Sequence, residues 1–343
     1  MRLIRPYRFV VVAILSLVAL HSCAPGSGDK HGEGMRYETI NDFALGTFVS
    51  VICNTDRDLA EVASMVKQVD TELKASMSIF DDSSLLSRIN RGEVDSLDGH
   101  IMRNLELSSR FTQLSDGAYD VTVKPLTEAW GFAGKGVEGV TPNVDSLLQF
   151  VGFDKISVRD NRLVRLDERV QLDFNSIAKG YTVDVMAERL EDMGVEDYLV
   201  NIGGEIRCKG ENSRGERWSI GVETPYEGNY DMDSYEKILY LTDCALATSG
   251  NYRRFYTAPD GRKVAHTIDP RTGYSVVSEL LSATVVAPTC AEADAAATMF
   301  MAMGSEGGAL ELAKRCEEEY GWKYYFIYSD GEGYRVECSN EFR

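Results

Sequence analysis

Apolar residues recur at helical spacing over residues 55–76, where Leu59, Val62, Met65, Val66, Val69 and Leu73 share one face. Two further helices are predicted at 83–91 and 99–115. Before them, residues 37–54 alternate, with Phe48, Val49, Val51 and Ile52. This predicts a hairpin around Ala44-Leu45-Gly46-Thr47. Short strands are expected at 155–159, 162–166 and 170–174. A helix follows, carrying Ile177, Tyr181, Val185 and Leu190 and ended by Gly194. Strands at 198–202 and 205–209 flank a Gly203-Gly204 turn. More strands are predicted at 218–222, 237–241, 263–268 and 281–286. Helices at 289–303 and 306–320 precede a closing hairpin over 322–338. The elements mix without strict βαβ alternation and no linker divides them. The pattern predicts an α+β fold in one large mixed domain.

The extreme N-terminus stands apart. Arg2, Arg5 and Arg8 precede an apolar run over residues 9–20, too short for a comfortable membrane span and suited to a secretory signal. Leu20-His21-Ser22-Cys23 resembles a lipobox, with cleavage before Cys23 and lipidation of its thiol; His21 departs from the small residue usual there. An ordinary signal peptide or an uncleaved anchor is the alternative. Residues 24–36 lack apolar periodicity and read as a flexible tether. The domain plan is thus a signal over 1–22, a tether over 23–36 and a folded body over 37–343. It implies a membrane-anchored protein of the cell envelope, with its body on the periplasmic or other extracytoplasmic side.

Charge narrows the function. The chain of 343 residues carries a net charge of −18; losing residues 1–22 removes three arginines and no acidic residue, leaving −21. A nucleic-acid-binding surface is excluded, and any bound phosphate must be met by local geometry or a metal ion. Beyond Cys23, the cysteines are Cys53, Cys208, Cys244, Cys290, Cys316 and Cys338. They form no C-x-x-C pair and no zinc-ligand spacing with a histidine.

Five stretches carry candidate chemistry. In residues 172–184, the 170–174 strand leads to a helix that Asn175 or Ser176 would cap. Its exposed N–H groups suit an anion, with Asp173 before them, Lys179 in the first turn and Gly180 allowing close approach. A well-capped helix with an exposed lysine is the plain alternative. In residues 289–298, Thr289 and Glu292 have capping-box spacing, and Asp294 and Thr298 share a face. A carboxylate with a hydroxyl is a hard-oxygen pair suited to magnesium; otherwise Asp294 is a solvated first-turn residue and Thr298 a core residue. In residues 263–273, a strand ends in His266 before an Asp-Pro turn closed by Gly273, and this histidine is either structural or catalytic. Residues 247–252 read as a small-polar turn facing a ligand or joining strands. Ala118-Tyr119-Asp120 offers an aromatic ring and a carboxylate to a planar heterocycle, or else a hydrophobic plug with a turn aspartate.

As a set these motifs are specific. Leu45-Gly46-Thr47, Ser87-Arg88-Ile89-Asn90, Gly117-Ala118-Tyr119-Asp120, Trp130-Gly131-Phe132, residues 173–181, Asn201-Ile202-Gly203-Gly204, Thr248-Ser249-Gly250, residues 266–273 and residues 293–298 occur in order. The sequence from about Tyr37 to the C-terminal hairpin resembles the ApbE family of bacterial FAD:protein FMN transferases. The resemblance implies antiparallel sheets flanked by helices, with an active-site cleft between sub-lobes. It implies transfer of the FMN half of FAD to a threonine hydroxyl of a target protein, with AMP released and magnesium required. Residue by residue, it implies a metal held by Asp294, Thr298 and the Ser176 carbonyl. It implies flavin contacts from Leu45, Phe80, Ala118, Tyr119, Asp120, Asp173, Lys179 and Ile268, and a reactive-phosphate role for His266. The acceptors it implies are redox-driven ion-pump subunits or other exported FMN-binding domains. Leu45 stands where methionine is frequent, Phe80 where tyrosine is, and Ala297 where some members have a further aspartate ligand. Hydrolysis of FAD to FMN and AMP, and flavin binding without turnover, are the competing readings. A generic solute-binding lipoprotein would need a two-lobed alternating α/β pattern that the sequence lacks.

Overall fold

The computed structural model describes residues 36–133, 141–225, 235–251, 255–257, 261, 263–331 and 333–343. The signal, lipidation and tether expectations for 1–35 lie outside them, as does Tyr252. The chain opens with β1 (Arg36–Ala44) and β2 (Thr47–Thr55), then α1 (Leu59–Met77), α2 (Leu85–Asn90), α3 (Gly99–Leu114), α4 (Lys124–Ala129) and α5 (Val144–Leu148). Next come β3 (Ile156–Arg159), β4 (Arg162–Arg165), α6 (Ala178–Asp192), β5 (Tyr198–Ile202), β6 (Glu205–Lys209), β7 (Trp218–Glu223), β8 (Tyr235–Leu241) and β9 (Cys244–Gly250). The rest is β10 (Phe255–Thr257), β11 (Lys263–Ala265), β12 (Leu280–Ala287), α7 (Cys290–Met303), α8 (Ala309–Tyr320), β13 (Lys323–Ser329) and β14 (Tyr334–Cys338).

Eight strands form one antiparallel sheet in the order β1-β2-β5-β6-β9-β12-β13-β14. Its main core lies between the sheet and α1, α3, α6, α7 and α8. The β7–β8 hairpin contributes Trp218, Ile220, Val222, Leu239 and Leu241 to a second core with Leu199, Ile206, Leu246 and Ile327 of the sheet. A third cluster joins Leu126, Trp130, Val144, Val151, Val264 and Ile268. The architecture is the expected α+β one.

α7 is apolar nearly all round, and most of its residues are buried. Its alanines at 293, 295, 296 and 297 let the helix backbone lie close to its neighbours, which a helix enclosed by other elements requires. Thr289 caps it by accepting from Glu292 N at 3.3 Å. The other half of the expected box is replaced: Glu292 pairs with Arg110 at 2.7 Å.

Three local expectations are corrected. Residues 170–174 form no strand; apart from an isolated Val123–Gln171 bridge, the ladder partner is a side chain. The Asn90 amide donates to Leu172 O at 2.8 Å and accepts from Leu172 N at 2.7 Å, as a neighbouring peptide group would. Neither Asn175 nor Ser176 caps α6: the N-cap position is Ile177, with no side-chain cap bond. Residues 247–250 are not a turn but part of β9, inside the large sheet between β6 and β12. Their small side chains suit the close packing of α7 over that strand.

The six cysteines among the described residues are free thiols, and Cys208 faces Cys244 directly across the β6–β9 ladder. No helix of the described residues is long and apolar enough to cross a membrane.

Candidate active site

The site begins where α6 meets α7. Gly180 has no side chain, and a Cβ there would fall on the Cys290 carbonyl oxygen and within 2.7 Å of Asp294 Cβ. Only glycine permits this approach. In a helix begun at Ser176, the Gly180 N–H would point to the Ser176 carbonyl, four residues back. Here it donates instead to Asp294 Oδ2, at 2.9 Å. The helix's own ladder begins one residue later, with Tyr181 N to Ile177 O, and Ala178 N reaches Phe174 O before it. The Ser176 carbonyl precedes the N-cap Ile177 and takes no bond from the helix.

Asp294 is buried, with 4% of its surface exposed. Burial, reinforced by the charge of Glu205, pushes its carboxyl pKa up to about 7, while Lys179 and the Gly180 N–H partly offset the rise. It is not the solvated first-turn residue of the plain alternative. Lys179 is half-buried and pairs with Glu205, the first residue of β6. Burial disfavours the lysine charge, but Glu205 and Asp294 outweigh it, so its pKa lies above the ordinary value. One turn along α7, Thr298 Oγ1 lies 3.2 Å from Ser249 Oγ of β9.

The remaining segments are tied to this junction. Ser176 Oγ donates to Tyr119 OH at 2.9 Å, bringing the 117–120 loop to the entrance of α6. Asp173 accepts from Asn175 N at 2.9 Å and from Thr127 Oγ1 at 3.1 Å, and its own N–H reaches Val121 O. Trp130 Nε1 donates to Gly273 O at 2.8 Å, anchoring the 266–273 turn. Thr267 Oγ1 donates to Asn251 Oδ1 at 2.7 Å, two residues past Ser249, so β9 links the His266 segment to Thr298. His266 sits at the end of β11, edge-on to Phe132 at 6.4 Å between ring centres. The other histidine of the folded body, His100, is held between Tyr181 OH and Glu72, at 2.9 Å from each.

The flavin candidates differ in what they can offer. Lys179 lies at the junction itself. Leu45 occupies a left-handed turn position, φ 50°, its N–H bonded to Asp70 Oδ1 at 2.8 Å. Phe80 is 66% exposed in the α1–α2 connection. Ala118 and Tyr119 are buried, the latter packed on Phe111, while Ile268 bridges Ser275 and belongs to the third core cluster. Both oxygens of Asp120 are engaged: one by Thr122 N and Oγ1, the other by Phe153 N at 2.6 Å. Its carboxylate shapes the loop.

The motif order and this junction meet in the comparisons. The model of the ApbE family matches residues 45–322. The Haemophilus influenzae FAD:protein FMN transferase is 33% identical over 305 residues, 86% of this chain and 85% of its own length. The chain belongs to the ApbE family. A Vibrio cholerae FAD:protein FMN transferase is likewise 33% identical, over 87% of this chain and 88% of its own. The solved flavin transferase ApbE from Vibrio cholerae matches with a TM-score of 0.79 and 29% identity, covering 90% of this chain and 98% of that one. The apo flavinyl transferase ApbE of Pseudomonas stutzeri gives the same TM-score at 28% identity, over 90% and 96%.

As an ApbE protein, the chain has residues at this junction that the sequence pattern did not single out: buried Glu205 and Asp184, and partly buried Arg207. Arg207 Nη1 donates to Asp184 Oδ1 at 2.9 Å. The available signal was positional, with Asp184 one turn past Gly180 and Glu205 directly after the Gly203-Gly204 turn.

Proposed function

We propose that this chain transfers the FMN half of FAD to a threonine hydroxyl of a partner protein, with AMP as leaving group. The new bond joins the threonine oxygen to the flavin-side phosphorus, and the pyrophosphate bond to the AMP oxygen breaks. The threonine proton must leave as that bond forms. His266 is the candidate to accept that proton or to orient the phosphate.

The observation that carries this reading is the Gly180–Asp294 bond. It sets a buried carboxylate against the start of α6, with the Thr298 hydroxyl one turn further along α7, and the Ser176 carbonyl just before α6 is the third oxygen of the proposed set. Three hard oxygens of this kind fit magnesium, which binds few protein ligands and shares its other positions with phosphates and water. When bound, the ion supplies positive charge at a diphosphate that a strongly acidic protein would otherwise repel. Ala297 contributes no further carboxylate, so Asp294 is the single anionic ligand of the proposed set. Lys179 carries a second positive charge beside it, neutralised in part by Glu205. The flavin contacts proposed are Leu45, Phe80, Ala118, Tyr119, Asp120, Asp173, Lys179 and Ile268, with Tyr119 and Asp120 acting through the loop they hold.

The deciding experiment combines the protein with FAD, magnesium and a threonine-bearing acceptor domain. The acceptor gains the mass of an FMN residue while AMP appears. AMP without a mass gain makes the protein an FAD hydrolase, and bound FAD without AMP makes it a flavin carrier. For the cell, the reading places the body outside the cytoplasm, tethered through a lipid on Cys23, and acting on exported flavoproteins. A Cys23→Ser chain is then expected to leave the detergent phase on phase separation, and retention there overturns the anchor.

A further inference from the structure

Asp184 is buried on α6 and has no part in the chemistry above. Its Oδ1 accepts from Cys290 N at 2.9 Å and its Oδ2 from Ala291 N at 2.8 Å. These are the first two residues of α7, whose N–H groups have no partner within their own helix. Thr289 serves Glu292 N, so a carboxylate borrowed from α6 completes the cap. Arg207 of β6 bridges Asp184 and Glu191, at 2.9 and 3.5 Å, which fixes the borrowed carboxylate from the sheet side.

A second bond runs the other way. Asp294 of α7 accepts from Gly180 N of α6 at 2.9 Å. Gly180 and Asp184 are one turn apart on α6, and Cys290 and Asp294 one turn apart on α7. The two helices therefore exchange carboxylates at two places, one turn apart on each. Asp294 is tied at one place; Asp184 holds the other.

We propose that Asp184 is a positioning residue that fixes α7 against α6, so that Asp294 and Thr298 face the Ser176 carbonyl. The proposal rests on the reading that these three hold magnesium. A helix advances about 1.5 Å per residue along its axis. Magnesium requires oxygens near 2.0–2.1 Å in an almost regular octahedron. A displacement of α7 that the core absorbs is therefore enough to spoil the ion's ligand set. Loss of ion affinity in a folded protein is the signature.

The test is Asp184→Asn, with magnesium chloride titrated calorimetrically into the FAD-loaded protein. AMP release against magnesium and against FAD, and the melting temperature, are measured alongside. The magnesium Kd is expected to rise about tenfold or more. Half-saturating magnesium for turnover rises with it, kcat recovers at saturating magnesium, and the KM for FAD stays within about twofold. A magnesium Kd within about twofold of the parent overturns the proposal, as does parallel loss of FAD affinity and melting temperature. If Asp184→Asn does not fold, Arg207→Gln keeps the carboxylate and removes its clamp. A rise in its magnesium Kd supports the proposal, and a parental value overturns it. Asp294→Asn is run in parallel. If it binds magnesium as the parent does, the ion reading itself has failed. If it does not and Asp184→Asn does, only the role of Asp184 has failed.

Discussion

Gly180 donates its backbone N–H to the carboxylate of Asp294, 114 residues further along the chain, so a residue of α7 satisfies one of the unpaired N–H groups in the first turn of α6. One bond thereby sets a carboxylate against the α6 entrance. The expected consequences concern that bond first.

Gly180→Ala places a methyl group on the Cys290 carbonyl and against Asp294 Cβ. Alanine is the better helix former, so propensity alone would stabilise the protein by up to about 1 kcal/mol. Overpacking between fixed backbones costs about 1–3 kcal/mol and wins here. The variant is expected to melt lower and to need more magnesium for AMP release. A melting temperature at or above the parental one refutes the close-packing argument.

The raised pKa of Asp294, about 7, gives a pH dependence with a definite sign. The unfolded carboxyl titrates near 3.9, so the folded protein retains a proton that the unfolded chain loses. This contribution to stability is complete below about pH 4 and is lost as pH rises through 7. Ion binding runs oppositely, because the ion competes with that proton. Magnesium is expected to bind roughly tenfold more weakly at pH 6 than at pH 8. Asp294→Asn removes the carboxyl and should abolish this pH trend in whatever affinity remains. Calorimetry at the two pH values checks both.

Phe80 and Asp120 should separate binding from stability. Phe80 is mostly solvent-exposed, so Phe80→Ala is expected to change stability by less than about 0.5 kcal/mol. If it meets the flavin, FAD affinity falls nonetheless. Asp120→Ala removes acceptors from Thr122 and Phe153 inside the fold and should cost about 1–3 kcal/mol. Denaturant melts with FAD titrations distinguish the two. Unchanged FAD affinity in Phe80→Ala removes Phe80 from the site.

The sequence made the helical frame of the site readable, because caps and i,i+4 spacing are local. Thr289 caps α7 as its spacing says, and Asp294 and Thr298 lie one turn apart on it. What stayed hidden depended on partners distant in the chain. Residues 170–174 alternate like a strand and bury Val170, Leu172 and Phe174, yet their ladder partner is the Asn90 amide. No periodicity announces a side chain standing in for a strand. Ala247, Thr248 and Ser249 have the composition of a turn and lie in β9, because a helix packed closely above them selects small side chains over large ones. Asp184 is unremarkable by spacing, since its partners, Cys290 and Ala291, follow 106 and 107 residues later.

The long separation between Ser176 and α7 also bears on biosynthesis. A growing polypeptide that has completed α6 still lacks the second half of the pair, and gains it only once Met303 has been made. A copy cut before Cys290 therefore has α6 without its Asp294 partner, and the contact between the two helices is absent until both exist.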